Sequence, residues 1–106
     1  MAAPALADTV YSTVMEDLPL MQGMSERPDD TTVFDNPNGR IIEFSTQTSE
    51  STAAVKDFYA QTLPPLGWKA ADATHFVREK EELKLDFNKK GDATIVHFSV
   101  TPAKGK

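Results

Sequence analysis

Apolar and polar residues alternate in two neighbouring stretches near the C-terminus, 83–88 and 96–101. A period of two places every second side chain on the same face, as in a half-buried β-strand. The segment "NKKGD" between the stretches carries the Gly that a tight reversal needs. The pattern therefore predicts a β-hairpin, whose apolar face consists of Leu83, Leu85, Phe87, Val96, Phe98 and Val100.

A second hairpin is predicted in "TTVFDNPNGRIIEFST". Its strands are residues 32–34 and 40–45, and "DNPNG" between them contains the Asn-Pro and Asn-Gly pairs typical of turns. Two shorter strands are predicted in "GWKAA" and "THFVREK", which are separated by residues 71–74. The mixed charges of "REKEELK" then indicate a solvated turn.

One amphipathic helix is predicted between the two hairpins, over residues 51–63. Ser51 or Thr52 is expected to cap its first turn, and Pro64 to end it because proline has no amide hydrogen to donate. Its apolar stripe follows the helical spacing i, i+3, i+4, i+7 and i+8, with Phe58 and Leu63 expected in the core. The stripe consists of Val55, Phe58, Tyr59, Thr62 and Leu63.

These elements predict an α+β fold with the order ββαββββ, in which an antiparallel sheet carries the helix on one face. With 106 residues the chain has room for one domain. We assign residues 1–16 to a leader remnant and flexible N-terminus, 17–102 to the domain and 103–106 to a polar tail. Residues 17–30, which include the loop-like "SERPDD", form an N-terminal arm.

The arm contains "DLPLMQGM", whose order of apolar residues fits neither a helix nor a strand. Pro and Gly in this stretch favour an extended, irregular path. Leu18 and Leu20 are predicted to anchor the arm on the domain, and Met21 and Met24 to lie nearer the surface beside a partner site. All four residues are therefore candidates for partner binding.

Charge and composition narrow the classes of function. A net charge of -5 and the absence of a basic face argue against nucleic-acid binding. There is no cysteine, which excludes disulfides and thiol chemistry. No stretch approaches the length of an apolar membrane span. The start "MAAPALA" before Asp8 has the small-residue form of a signal-peptidase site, so we expect a protein that is periplasmic or otherwise exported.

Several segments together resemble a family of small exported proteins of Gram-negative bacteria that has no assigned function. These are "DLPLMQGM", "VFDNPNGRIIE", "VKDFYAQTLPPLGW", "FVRE" and "VHFSVTP", which extend over residues 17–102. This family usually has a proline at the position of Gln22. The resemblance implies an α+β fold and an exported location, and it implies no activity.

Candidates for chemistry are few. The sequence contains no nucleotide-binding, zinc-protease or nucleophile-elbow motif, and Ser99 lies too close to His97 along one strand to leave a place for the acid of a triad. His75 and His97 are the candidate metal ligands, with Asp86 or Asp92. Strand histidines are more often partly exposed and without a ligand. We therefore assign no catalytic residue, no metal and no cofactor.

Methionine thioethers bind Cu(I), and three methionines of the N-terminal region lie within ten residues: Met15, Met21 and Met24. Packing of the core is their commoner use. Two hypotheses follow. The first is a non-catalytic, monomeric envelope domain that contacts another protein through a sheet edge, a sheet face or the arm. The second is a carrier of a small ligand, copper or zinc that uses the space between helix and sheet or these Met and His side chains.

Overall fold

The computed structural model describes residues 10–37 and 39–102, and the predicted leader residues 1–7 and polar tail lie outside them. Within these ranges the chain forms strands, one α-helix and a single 3₁₀ turn at Pro64–Leu66. The elements in chain order are β1 (Val10–Tyr11), β2 (Pro19–Leu20), β3 (Ser25–Asn36), β4 (Gly39–Thr48), α1 (Thr52–Thr62), β5 (Lys69–Asp72), β6 (His75–Arg78), β7 (Glu81–Lys90) and β8 (Ala93–Pro102).

Six of the strands form one antiparallel sheet in the spatial order β3-β4-β8-β7-β6-β5. The α+β class with one helix and an antiparallel sheet is thereby confirmed. The predicted order ββαββββ describes this sheet but simplifies the chain. It omits β1 and β2, which pair with each other as a separate two-stranded ladder.

The turn chemistry explains why both predicted hairpins form. Gly39 closes the turn between β3 and β4 with φ +140°, and Gly91 closes the β7–β8 turn with φ +62°. Only glycine adopts such angles without strain. A Cβ on Gly39 would also lie 3.2 Å from Cγ of Pro102, so this turn is closely packed as well as sharply bent.

Strand β3 corrects one prediction. The stretch "SERPDD" was expected to be a loop, but β3 starts at Ser25. Arg27 pairs with Ser45, whereas the next pair is Thr32 with Glu43, so the register shifts between them. Pro28 falls within this irregularity, where its missing amide hydrogen costs no regular ladder bond. Turn-forming composition therefore marked a bulge in a long strand and not a loop.

Helix α1 matches its prediction closely. The Ser51 hydroxyl accepts a hydrogen bond from the Ala54 amide at 3.1 Å, which caps the first turn. After the helix, Gly67 takes a left-handed conformation with φ +99°. Phe58 is half-buried rather than a core residue, since it lies at the margin of the stripe and packs edge-on against Tyr59. No helix in the described residues has the length and apolarity to cross a membrane.

The core lies between α1 and one face of the sheet. Phe44 and Phe98 are cross-strand neighbours whose rings stack with their centroids 4.9 Å apart. Tyr59 of α1 meets Phe98 edge-on at 5.5 Å. Trp68 is 1% exposed and belongs to the same core. The other face of the sheet carries mainly polar side chains, among them Lys84, Asp86 and His97.

The domain also begins earlier than expected. We assigned residues 1–16 to a leader and flexible terminus, but Met15 is fully buried in the core and Ser12 is 2% exposed. The Ser12 hydroxyl accepts hydrogen bonds from the amides of Val14 and Met15, each at 3.0 Å. This turn brings Met15 under the arm, so the predicted boundary at residue 17 is too late.

Candidate functional site

The N-terminal arm lies on the domain itself. Leu18 is fully buried and Leu20 is 6% exposed, which confirms both as anchors. Met24 is 9% exposed, so its predicted place near the surface is wrong. The Tyr59 hydroxyl explains this, because its oxygen lies 2.7 Å from the Pro19 carbonyl, to which it donates, and 3.8 Å from the Met24 sulfur. Of the four candidate partner-binding residues, only Met21 is partly exposed.

Glu26 fixes the segment before the arm. Its carboxylate accepts hydrogen bonds from the Ser12 hydroxyl, from the Thr13 hydroxyl at 2.7 Å and from the Thr13 amide at 3.1 Å. Burial alone would raise the pKa of Glu26, but these hydrogen bonds outweigh it and hold the pKa below the usual 4.5. Glu26 therefore acts as a charged clamp on the turn that follows β1.

A second cluster ties the arm to β6. The Arg78 guanidinium lies 2.7 Å from the Asp17 carboxylate and 4.3 Å from the centre of the Trp68 ring. Arg40 donates to both carboxylate oxygens of Glu81, at 2.6 and 3.1 Å. Glu81 also lies 3.5 Å from Arg78. These side chains satisfy one another's charges, so the cluster is a structural one.

The two candidate metal ligands are on the open face but are not neighbours. His75 pairs with Lys84, and His97 pairs with Asp86, so β7 separates the two strands and their positions differ by two residues in register. Two strand spacings alone amount to roughly 10 Å. His75 instead contacts Asp72 at 3.3 Å. In residues 10–37 and 39–102, no three metal-ligating side chains come together.

His97 does take part in one arrangement that the sequence did not suggest. Its Nδ1 lies 2.9 Å from the Ser45 hydroxyl, and its Nε2 lies 3.7 Å from the Glu43 carboxylate. The order resembles a serine, histidine and acid set. However, Ser45 is only 3% exposed, so little of its side chain is accessible from the open face of the sheet. The Glu43 distance also exceeds a hydrogen bond. The arrangement therefore orients surface side chains.

The outer strand β3 carries the most exposed apolar pair on the described surface. Val33 is 60% exposed and Phe34 is 57% exposed. They pair with Ile42 and Ile41 of β4, and because side chains alternate along a strand they point to opposite faces of the sheet. Within the described ranges, β4 is the only strand that pairs with β3. An exposed apolar pair therefore lies on a sheet edge that no other described strand covers.

The sequence contained a signal for this pair that the prediction did not use. Val33 and Phe34 are adjacent in a strand, so only one of them can face a single core. Only Asp35 separates them from the Asn-Pro-Asn-Gly turn at the end of the hairpin. Sequence reasoning placed them in a strand but did not ask which residues α1 would leave uncovered.

Three grooves lie on the described surface. The largest, of about 870 Å³, lies beside the β6–β7 turn and is lined by residues that include Leu66, Arg78 and Glu81. A second, of about 520 Å³, lies on the open face and is lined by polar side chains, among them Arg27, Asn88 and Lys90. The third, of about 430 Å³, lies between α1 and β5 and is lined largely by alanines. Comparisons of the chain with protein-family models, with curated proteins and with solved structures found no match. The choice among these surfaces therefore depends on their geometry.

Proposed function

We propose that this protein is a non-catalytic exported domain that binds an extended segment of another protein along the outer edge of β3. One observation carries the proposal. Val33 and Phe34 are 60% and 57% exposed on an outer strand, although each would contribute about 1.5–3 kcal/mol if buried. An exposed edge with apolar residues also promotes aggregation, so its presence favours a role in binding another chain.

The edge suits strand addition. Every second residue of an outer strand directs its amide and carbonyl groups away from the sheet, where an extended segment is able to pair with them. β3 is 12 residues long, whereas β5 at the opposite edge has 4. Because Val33 and Phe34 point to opposite faces, an added strand contacts both through its alternating side chains. Backbone bonds then supply affinity and the apolar pair supplies specificity.

The exported location is part of the proposal and rests on the sequence. "APALA" before Asp8 has the form of a processing site, and the segments from "DLPLMQGM" to "VHFSVTP" resemble exported proteins of Gram-negative bacteria. The arm itself is no longer proposed as the contact, because Leu18, Leu20 and Met24 are buried against the domain.

The alternative of a ligand carrier has less support. It required space between helix and sheet, and the rings of Phe44, Tyr59 and Phe98 fill that layer at centroid distances of 4.9 and 5.5 Å. His75 and His97 are held apart by β7. The open-face groove of about 520 Å³ is large enough for a small molecule, but its lining is mostly polar, unlike typical ligand pockets.

A double substitution tests the proposal. Val33→Ser with Phe34→Ser removes both apolar side chains from the edge and leaves its backbone intact. The matched control is Leu66→Ser, since Leu66 is an exposed apolar residue (38%) outside β3. The immobilised full chain and both variants are compared for the proteins that they retain from envelope extracts of a Gram-negative bacterium. Circular dichroism checks that each variant is folded.

The expected result is a protein that the wild type and Leu66→Ser retain and that the edge variant loses. If the folded edge variant retains the same proteins as the wild type, β3 is not the contact surface.

A further inference from the structure

The exposed apolar pair on β3 has an acidic side chain beside it on each face of the sheet. On the face of Val33, Asp35 is two residues further along the same strand and is exposed. On the face of Phe34, Glu43 lies on β4 in register with Thr32, and its side chain is 47% exposed. Each apolar contact is thus accompanied by a negative charge.

Of the arginines near this edge, Arg27 pairs with Ser45 on the other side of the register shift, and Arg40 is directed towards β7. Arg40 pairs with Asp35 in the register, but its guanidinium donates two hydrogen bonds to Glu81. His97 approaches Glu43 with its Nε2 at 3.7 Å, which is longer than a hydrogen bond. The edge is therefore apolar at its centre and acidic on both sides.

We infer that the segment bound by β3 has the pattern basic–apolar–apolar–basic, an inference that rests on the proposed function. The positions follow from the pairing of an added strand. Residues opposite Val33 and Phe34 are apolar because they cover these side chains. The residue opposite Asp35 is about 5 Å away and is basic. The residue opposite Thr32 is also basic, since a long side chain extends over the short threonine towards Glu43.

This pattern reads the same in both directions, so it applies to parallel and antiparallel addition. It also separates a foreign segment from a second copy of this chain. Each copy carries a net charge of -5, and the β3 edge contributes acidic rather than basic residues around its apolar pair. The acidic side chains therefore oppose self-pairing and favour a basic segment.

Two capped synthetic peptides test the inference against the full chain. One is Ser-Thr-Lys-Val-Val-Lys-Thr-Ser and the other is the same peptide with Glu in place of both Lys. Binding is followed by the shifts of backbone amide signals in NMR spectra. The lysine peptide is expected to shift β3 signals and to bind at least about fivefold more tightly at low ionic strength. The difference is expected to shrink when salt is added.

A pair of charge reversals provides the control within the protein. Asp35→Lys is expected to reverse the preference towards the glutamate peptide. Asp92→Lys makes the same change in net charge in the β7–β8 turn, which lies at the other end of the sheet from Val33, and is expected to keep the wild-type preference.

The outcomes separate the two proposals. Equal shifts of β3 by both peptides would overturn the charge pattern and leave edge binding intact. The absence of β3 shifts with either peptide at millimolar concentration would overturn edge binding as well. Shifts of β3 that grow with protein concentration alone would identify a second copy as the occupant, against the inference.

Discussion

At the scale of single residues, the Tyr59 hydroxyl joins helix and arm. It is buried, which raises the pKa of the Tyr59 phenol above its ordinary value of 10.0, so the group remains a hydrogen-bond donor throughout the physiological range. Its bond to the Pro19 carbonyl is 2.7 Å long. The same hydroxyl contacts the Met24 sulfur, so a single side chain holds two parts of the arm.

Tyr59→Phe is expected to lower the free energy of unfolding by about 1–3 kcal/mol, because it leaves the Pro19 carbonyl without its donor while the ring packing remains. Urea denaturation measures the change. Tyr11→Phe is the matched control, since Tyr11 is 44% exposed. Equal stability of wild type and Tyr59→Phe would show that the hydrogen bond makes no net contribution to the free energy of unfolding.

Glu26 gives the fold a dependence on pH. Its pKa is lowered in the folded state, so the folded protein binds this proton less tightly than the unfolded chain does. The carboxylate therefore stabilises the fold above the ordinary pKa of 4.5, and this stability is lost as the pH falls through the lower folded value.

Glu26→Gln is therefore expected to destabilise the protein most at neutral pH. The difference in unfolding free energy between the variant and the wild type should narrow on acidification, when both side chains are uncharged. Thermal unfolding measured from neutral to acidic pH gives this difference. Glu50→Gln at an exposed position is the control and should give a small difference at every pH. If the difference in unfolding free energy between Glu26→Gln and the wild type stays constant with pH, the charge of Glu26 does not stabilise the turn that it contacts.

At the scale of elements, the segment from β1 to β2 is a part of the domain. Its ladder has only two residue pairs, Val10 with Leu20 and Tyr11 with Pro19. Such a short ladder contributes little to the stability of the fold by itself. The segment is held by the burial of Met15 and Leu18 and by the charges of Asp17 and Glu26. Its stability thus comes from side chains and not from regular structure.

Met15→Ala is expected to cost about 2–5 kcal/mol in the free energy of unfolding, as truncation in a packed core does. Met21→Ala, at a half-buried position in the same segment, is expected to cost clearly less. Chemical denaturation of the two variants gives the comparison. Similar small losses for both would return residues 10–16 to the flexible terminus that the sequence suggested.

These cases show what the sequence was able to predict. Strands β7 and β8 and helix α1 follow from periodicity and turn residues, because local patterns determine them. The arm's fold does not, because Met24 contacts Tyr59 and Met15 is buried in a core formed by residues far along the chain. Adjacency in a strand indicates that one of Val33 and Phe34 is exposed, but that both are exposed depends on the packing of the whole domain.

At the scale of the whole molecule, stability is expected to fall from the centre of the sheet to its edges. β8 has β4 on one side and β7 on the other, and its Val96, Phe98 and Val100 are fully buried. β3 and β5 are the outer strands, and β5 is exposed along its length. Local opening of the structure requires the least free energy where few contacts are broken.

Amide hydrogen exchange is therefore expected to be slowest in β8 and the adjoining parts of β4 and β7, and fastest in β5 and in the outward-facing amides of β3. Exchange rates measured by NMR or by mass spectrometry of peptide fragments give the order. Uniform protection of all six strands would mean that the sheet opens only as a single cooperative unit, contrary to this expectation.

The central place of β8 determines when folding is able to finish. β8 is the last strand of the described residues, yet it lies between β4 and β7, and its pairs with β4 join residues as far apart as Ile42 and Val100. Closing so long a loop is slow compared with forming a hairpin. Until Ala93–Pro102 has left the ribosome, β4 and β7 have no common neighbour. The two hairpins on either side of β8 are therefore joined into one sheet only once β8 has been synthesised and inserted between β4 and β7.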